Sequence, residues 1–271
     1  MAKKKHLIIP IFIPQQGCPH QCVFCNQPKI TGKENRPDIG EVARTIEAYL
    51  NTWKGSGKKE VAFYGGSFTG LDNNMQENFL AAAHRFVSAG SIDSIRISTR
   101  PDYIADEGLS LLEKYKVETV ELGVQSMVNE VLRLAGRGHT AADTVTAVAL
   151  LKKYGFKIGL QFMPGLPGDT CETILYTASK IVELQPDFVR IYPTIVVRDT
   201  PLEKMYVTGL YRPWSLADMV DICRKLVCLF NAHGIPIIRL GLQSTETLEQ
   251  GIVAGPYHPS LRELVGKDAY L

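Results

Sequence analysis

Hydrophobic positions along the chain gather into short runs, and longer stretches with a helical period separate them. The runs HLIIPIFI, EVAFY, SIRIS, TVELGV, FKIGLQF and DFVRIY are rich in β-branched residues. This alternation predicts βαβ units on a parallel sheet, an α/β fold. A seventh run, IPIIRL, follows near residue 235. In the first intervening helix Asp38 is the expected N-cap with Glu41 three residues on, and Ile39, Val42, Ile46, Tyr49, Leu50 and Trp53 form one stripe. Thr140 with Asp143, and Asp169 with Glu172, predict two more helix starts, while Gly90 and Gly155 predict helix stops. Cys223 lies on the apolar stripe of a later helix, which predicts burial.

The uncommon residues follow the strands. A cysteine loop comes after the first, GGSF after the second, STRPD after the third, GVQS after the fourth, MPGLPG after the fifth and YPT after the sixth. In a parallel barrel these positions share one face, at the strand C-termini, where loops converge on a common site. At 271 residues, with no repeat and no evident linker, the chain reads as one barrel over residues 1–240 and a short segment over 241–271 that packs on it or extends it.

Composition narrows the functional classes. Hydrophobic residues make up 45% and charged residues 21%, which suits a globular protein. The 30 Lys and Arg nearly match 28 Asp and Glu, so net charge gives no argument for nucleic acid, and Lys3 to Lys5 reads as a solvated tail. No apolar run is long enough to span a bilayer, and the first run is broken by Pro10 and Pro14 with no cleavage site behind it. Six cysteines without a secretory signal predict a reducing cytoplasm, where clustered thiols hold metal or do redox chemistry.

Three of the six are close together. Cys18, Cys22 and Cys25 share the loop GCPHQCVFCN, while Cys171, Cys223 and Cys228 are scattered. Structural zinc normally takes four ligands, and completing the set with His20 would strain the same short loop. Three thiolates on a four-iron cluster leave one iron open to a substrate or cofactor.

Cys18, Cys22, Phe24 and Cys25 together make Cys-x3-Cys-x-aromatic-Cys, which resembles the signature of the radical S-adenosylmethionine enzymes. The resemblance implies a partial (β/α)6-type TIM barrel, a 4Fe-4S cluster on these three cysteines, and S-adenosylmethionine chelated by the open iron. It implies that Gly65, Gly66 and Ser67 receive the methionine ammonium, that Gln125 and Arg137 meet the ribose and the methionine carboxylate, and that Phe24 touches the adenine. Ser98 and Gln161 are further expected contacts.

The stretches STRPDY, VELGVQS, RGHT, MPGLPGDT and RIYPTIVVRDTPLEKMYVTGLYRPWS are similar to the radical domain of the elongator catalytic subunits, which modify tRNA. GVQS, RGHT and GLPG carry a weaker likeness to oxygen-independent coproporphyrinogen oxidases. Ser98 stands where those relatives are expected to carry a Glu, and the stretch after residue 240 is not expected to be an acetyltransferase segment. The likeness implies tRNA as substrate and reduced ferredoxin or flavodoxin as electron donor. A radical enzyme acting on a small molecule or peptide is the alternative within the class, and a non-catalytic cluster-containing module that binds RNA or protein is the alternative outside it.

Overall fold

The β-branched runs become strands because each lies under a helix on one face and against neighbouring strands at its edges. The computed structural model describes residues 6–14, 17–19, 22–27, 29 and 37–266; Lys3 to Lys5 and His20 lie outside them. Seven parallel strands curl into a half-barrel: β1 (Leu7–Phe12), β2 (Lys59–Tyr64), β3 (Ser94–Thr99), β4 (Val117–Gln125), β5 (Lys157–Phe162), β6 (Phe188–Ile191) and β8 (Ile237–Leu240). The first six lie side by side in chain order and β8, from the seventh apolar run, pairs with β6. Pro10 sits within β1, which among the described residues pairs with β2 alone, so its missing N–H falls on the side away from β2.

The helices α1 (Ile39–Thr52), α2 (Asn73–Ser88), α3 (Asp106–Lys114), α4 (Asn129–Leu134), α5 (Ala141–Lys153), α6 (Cys171–Glu183), α7 (Pro201–Val207) and α8 (Leu216–Ala232) connect or follow the strands. Ile9, Val61, Ile95, Val120, Leu122, Leu160 and Val189 project beneath them into one continuous core with Val42, Ile46, Leu80, Leu151, Ile181 and Phe230. Cys223 is buried in that core, as its stripe predicted. Fully burying each such side chain contributes about 1.5–3 kcal/mol, so the outer layer supplies most of the drive to fold.

The opposite face of the sheet is polar. Residues one position off the core pattern, Glu60, Arg96, Glu121 and Arg190, meet there: Arg96 lies 2.7 Å from Glu60 and 2.8 Å from Glu121, and Arg190 donates to Glu121 at 3.1 Å and to the Tyr64 hydroxyl at 3.0 Å. Ser98 pairs in register with Glu121, and Gly123 with Gln161, so these small or polar residues share the same inner face.

The predicted caps are partly corrected. Asp38 accepts from Glu41 N at 2.6 Å, and Thr140 forms a reciprocal box with Asp143. Gly90 and Gly155, both at positive φ, follow the caps of α2 and α5. The cap of α6 is Thr170 with Thr173 rather than Asp169 with Glu172. Asp169 turns back to accept the Gly165 and Leu166 N–H groups at 3.0 and 3.2 Å, closing its own loop. In the predicted stripe of α1 only Val42 and Ile46 are fully buried, Leu50 packs half-buried on the core, and Ile39 and Tyr49 are 40% and 39% exposed at the edges of the stripe.

A second, two-stranded sheet pairs β7 (Val196–Val197) with β9 (Ile252–Ala254), antiparallel. Between β8 and β9 lies α9 (Glu246–Gly251), and α10 (Leu261–Val265) follows, with Leu261 and Val265 joining the main core.

Candidate functional site

The cysteine loop is seated on the glycine-rich turn that follows β2. Gly17 has φ +70°, and a Cβ there would overlap the Ser67 carbonyl oxygen and crowd Gly70 and Leu71, so a residue without a side chain is required. Gln27 joins the two segments: its Oε1 accepts the Gly66 N–H at 3.0 Å, and its amide is in hydrogen-bonding contact with the Cys25 thiol. Cys25 N donates to Cys22 O at 3.0 Å, a tight turn that brings these two cysteines to one side.

The three thiols lie within electrostatic reach of one another. Burial pushes Cys25 up to about 12, the neighbouring Cys22 and Cys18 add to the rise, and Arg137 and Gln27 oppose it. Cys18 is raised by burial and by Cys22, again against Arg137. Among the described residues no three His, Cys, Asp or Glu side chains converge on the coordination sphere of a single ion.

Arg137 links this loop to β4. Its Nη1 donates to Cys22 Sγ at 3.3 Å and its Nη2 donates to Gly123 O, while Nε is buried with no partner. The side chain is buried, and among the described residues no carboxylate pairs with it. A buried cation without an anion costs several kcal/mol, so the site fits thiolates at the cysteine loop and an anionic guest beside them. A Cβ on Gly123 would press on Gln125 Nε2 and Arg137 Nη2, so β4 can pass behind these side chains only without one.

Gln125 ends β4 at φ +64° beside an irregularity in the ladder to β5, and Gln161 Nε2 approaches its Oε1 at 3.5 Å. Gly65 and Gly66 have φ +82° and +50°, presenting their backbone where a side chain would block approach. Ser67 is turned inward: its hydroxyl bonds Thr99 Oγ1 at 2.8 Å and accepts Arg100 N at 3.3 Å, so it braces the turn. Ser98 remains on the inner face of β3. Phe24 is partly buried between Val131, Ala135 and Leu166 on one side and Val196, Leu202 and Tyr211 on the other. Behind this wall burial, then Arg137, pushes His139 down to about 4; its Nε2 donates to Val124 O at 3.2 Å.

A clasp closes the outside of the cysteine loop. Val23 N donates to Ala135 O at 3.0 Å and Val23 O accepts from Leu202 N at 2.8 Å. Asn26 Nδ2 donates to Arg198 O at 3.0 Å, and Lys29 pairs with Asp199 at 2.8 Å. Tyr211, packed on Leu202, donates its hydroxyl to Gly165 O at 2.6 Å and ties the MPGLPG loop to the same wall. Gln27 carries no motif, and nothing local singles out Thr99 within STRPDY or Leu202 and Tyr211 within the long stretch after β6. The visible signal for the inner network was a charge within an apolar run, as in SIRIS, TVELGV and DFVRIY.

Comparison with known proteins agrees with this geometry. The profile described as the radical SAM superfamily matches residues 12–181, and one described as a radical SAM C-terminal domain matches residues 186–270. The chain is 29% identical over 255 residues to the tRNA uridine(34) acetyltransferase of Methanocaldococcus jannaschii, across 79% of this chain and 47% of that protein. It is 32% identical over 268 residues to Elongator complex protein 3 of Saccharomyces cerevisiae, across 82% of this chain and 48% of that protein. The chain therefore spans about half the length of these curated relatives. The solved structure of the archaeal Methanocaldococcus infernus Elp3 with an N-terminal deletion superposes with a TM-score of 0.74 at 25% identity, covering 96% of this chain and 61% of that one.

Proposed function

Because the chain belongs to the radical S-adenosylmethionine superfamily, whose members use a 4Fe-4S cluster and S-adenosylmethionine, we propose that Cys18, Cys22 and Cys25 hold the cluster and that the inner face beside them binds the cofactor. When bound, the pair supplies one-electron reductive cleavage of the sulfonium, giving methionine and a 5'-deoxyadenosyl radical. The single observation that carries the assignment is Arg137, a buried guanidinium without a carboxylate partner among the described residues, set between Cys22 and Gly123.

The chain's own residues then have distinct tasks. The thiols neighbour one another on one loop, and each would ligate a different corner of the cluster. Arg137 supplies paired donors to the methionine carboxylate, and the turn at Gly65 and Gly66 offers backbone to the ammonium. Gln125 and Gln161 present amides that orient the ribose, Phe24 borders the adenine, and Ser98 leaves room on β3. Ser67 and Thr99 hold the turn in place, a positioning role. The polar floor of Glu60, Arg96, Glu121 and Arg190 stiffens the lumen beneath.

The substrate we propose is tRNA, with a reduced ferredoxin or flavodoxin as electron source. The support is the likeness to a tRNA uridine(34) acetyltransferase and to Elongator complex protein 3 over about 80% of this chain. Anaerobically reconstituted protein given dithionite and S-adenosylmethionine is expected to release 5'-deoxyadenosine; an intact cluster with no release would overturn the cleavage reading. Nucleoside profiles of tRNA from wild-type and deletion strains test the substrate, and identical profiles would exclude tRNA.

A further inference from the structure

The two most exposed large hydrophobic residues among those described are three positions apart. Val207 is 75% and Leu210 77% exposed, at the tip of α7, with Tyr206 also exposed. The tip is rigid. Leu210 N donates to Met205 O at 2.8 Å and Gly209 N to Tyr206 O at 3.1 Å, the paired bonds of a Schellman motif, with Gly209 at φ +76°. In that motif the residue after the glycine usually folds back onto the helix; here Leu210 points to solvent.

The base of the same short helix is bonded to the cysteine loop through Leu202 N and Val23 O at 2.8 Å. Five residues at 1.5 Å each place Val207 about 8 Å along the helix from that bond. The charges around the tip are unbalanced. Lys204 and Arg212 are exposed, whereas Asp199 is paired with Lys29 and Glu203 turns back toward the helix base to accept the Asp199 N–H at 2.7 Å.

Resting on the cleavage reading above, we propose that the tip of α7 is the docking surface of the electron donor, a small one-electron carrier protein with an acidic rim around an apolar centre. The apolar centre meets Val207 and Leu210, and the rim meets Lys204 and Arg212. The carrier would lose one electron to the cluster that Cys18, Cys22 and Cys25 would hold, and sulfonium cleavage would consume that electron. A nucleic-acid partner suits the tip less well, because its two most exposed side chains are aliphatic and Tyr206, the ring beside them, is only 39% exposed.

Chemical reduction bypasses docking, which separates this proposal from the one it rests on. A Val207→Glu, Leu210→Glu double variant and a Lys204→Glu variant, matched to wild type in iron content, are compared with dithionite and with reduced flavodoxin as reductant. With dithionite, release of 5'-deoxyadenosine is expected to stay within about twofold, and with flavodoxin to fall about tenfold or more. Unchanged flavodoxin-driven turnover, or an equal loss with both reductants, overturns the docking site. So does a loss of tRNA binding, or of self-association in sedimentation, with flavodoxin-driven turnover intact. If wild type releases nothing with dithionite, the cleavage reading fails, and fluorescence anisotropy of labelled flavodoxin still decides docking: loss of binding in the double variant supports it, equal binding refutes it.

Discussion

Arg137 donates to the Cys22 thiol at 3.3 Å from a buried position in which its own Nε has no partner. A group so placed shows its worth when a guest arrives. Arg137→Lys keeps the charge and loses the paired donors. At about 1.5–3 kcal/mol for a hydrogen bond to a charged group, affinity for S-adenosylmethionine is expected to fall roughly 10–100-fold, with iron content unchanged. Equilibrium dialysis on the reconstituted protein measures it, and an unaltered affinity removes Arg137 from the cofactor site.

Replacing any one of Cys18, Cys22 and Cys25 by Ser is expected to abolish iron and sulfide retention, since each would hold a separate corner. Cys223→Ser, deep in the core, should lower thermal stability and leave iron binding intact. Iron analysis per chain distinguishes the two kinds of cysteine.

Gly17→Ala and Gly90→Ala place the same methyl group at the same sign of φ, yet only the first would strike backbone atoms. Both incur the left-handed penalty of about 1–2 kcal/mol; overpacking adds about 1–3 kcal/mol at Gly17. Gly17→Ala should therefore melt several degrees lower than Gly90→Ala and lose its cluster faster in air. Equal melting temperatures would mean that the cysteine loop does not rest on the turn at Ser67.

Glu121 holds Arg96 and Arg190 together inside the half-barrel. Glu121→Gln leaves two buried cations with one carboxylate, Glu60, and is expected to cost about 3–5 kcal/mol. Urea unfolding provides the number; a loss below about 1 kcal/mol would show that water already screens the cluster.

Burial alone would raise Glu118, but hydrogen bonds from Lys157 and Lys58 outweigh it and hold the carboxyl at about 2. A folded value below the unfolded 4.5 gives stability that is present above pH 4.5 and lost as pH falls toward 2. The side chain is 34% exposed, so screening reduces the contribution to about 1 kcal/mol. Glu118→Gln should flatten the decline of the urea midpoint between pH 4.5 and 2, and an unchanged slope would assign acid unfolding to other carboxylates.

Much of this architecture was readable in advance. Apolar runs spaced by helical periods marked the strands and their parallel arrangement, and a three-thiol loop after β1 pointed to the open end of a barrel. What escaped notice depended on residues far apart in sequence. Asn26 and Arg198 are 172 positions apart, and no local pattern announces that they meet. Gln27 was equally silent, because a lone Gln after a cysteine carries no periodicity. Arg96, Glu121 and Arg190 were visible as charges inside buried strands, but the outward-facing Ile and Val beside them dominated the pattern. Asp169 misled because an acid before a helix is an ordinary cap; only the folded loop shows its carboxylate already taken by Gly165 and Leu166.

The clasp over the cysteine loop bears on biosynthesis. Each strand through β6 lies beside one made just before it, so this part of the sheet can assemble as the chain leaves the ribosome. The loop that follows the first strand waits for Arg198 and Leu202 before it has an outer wall. Whatever cargo it carries is enclosed only after residue 202 has been made.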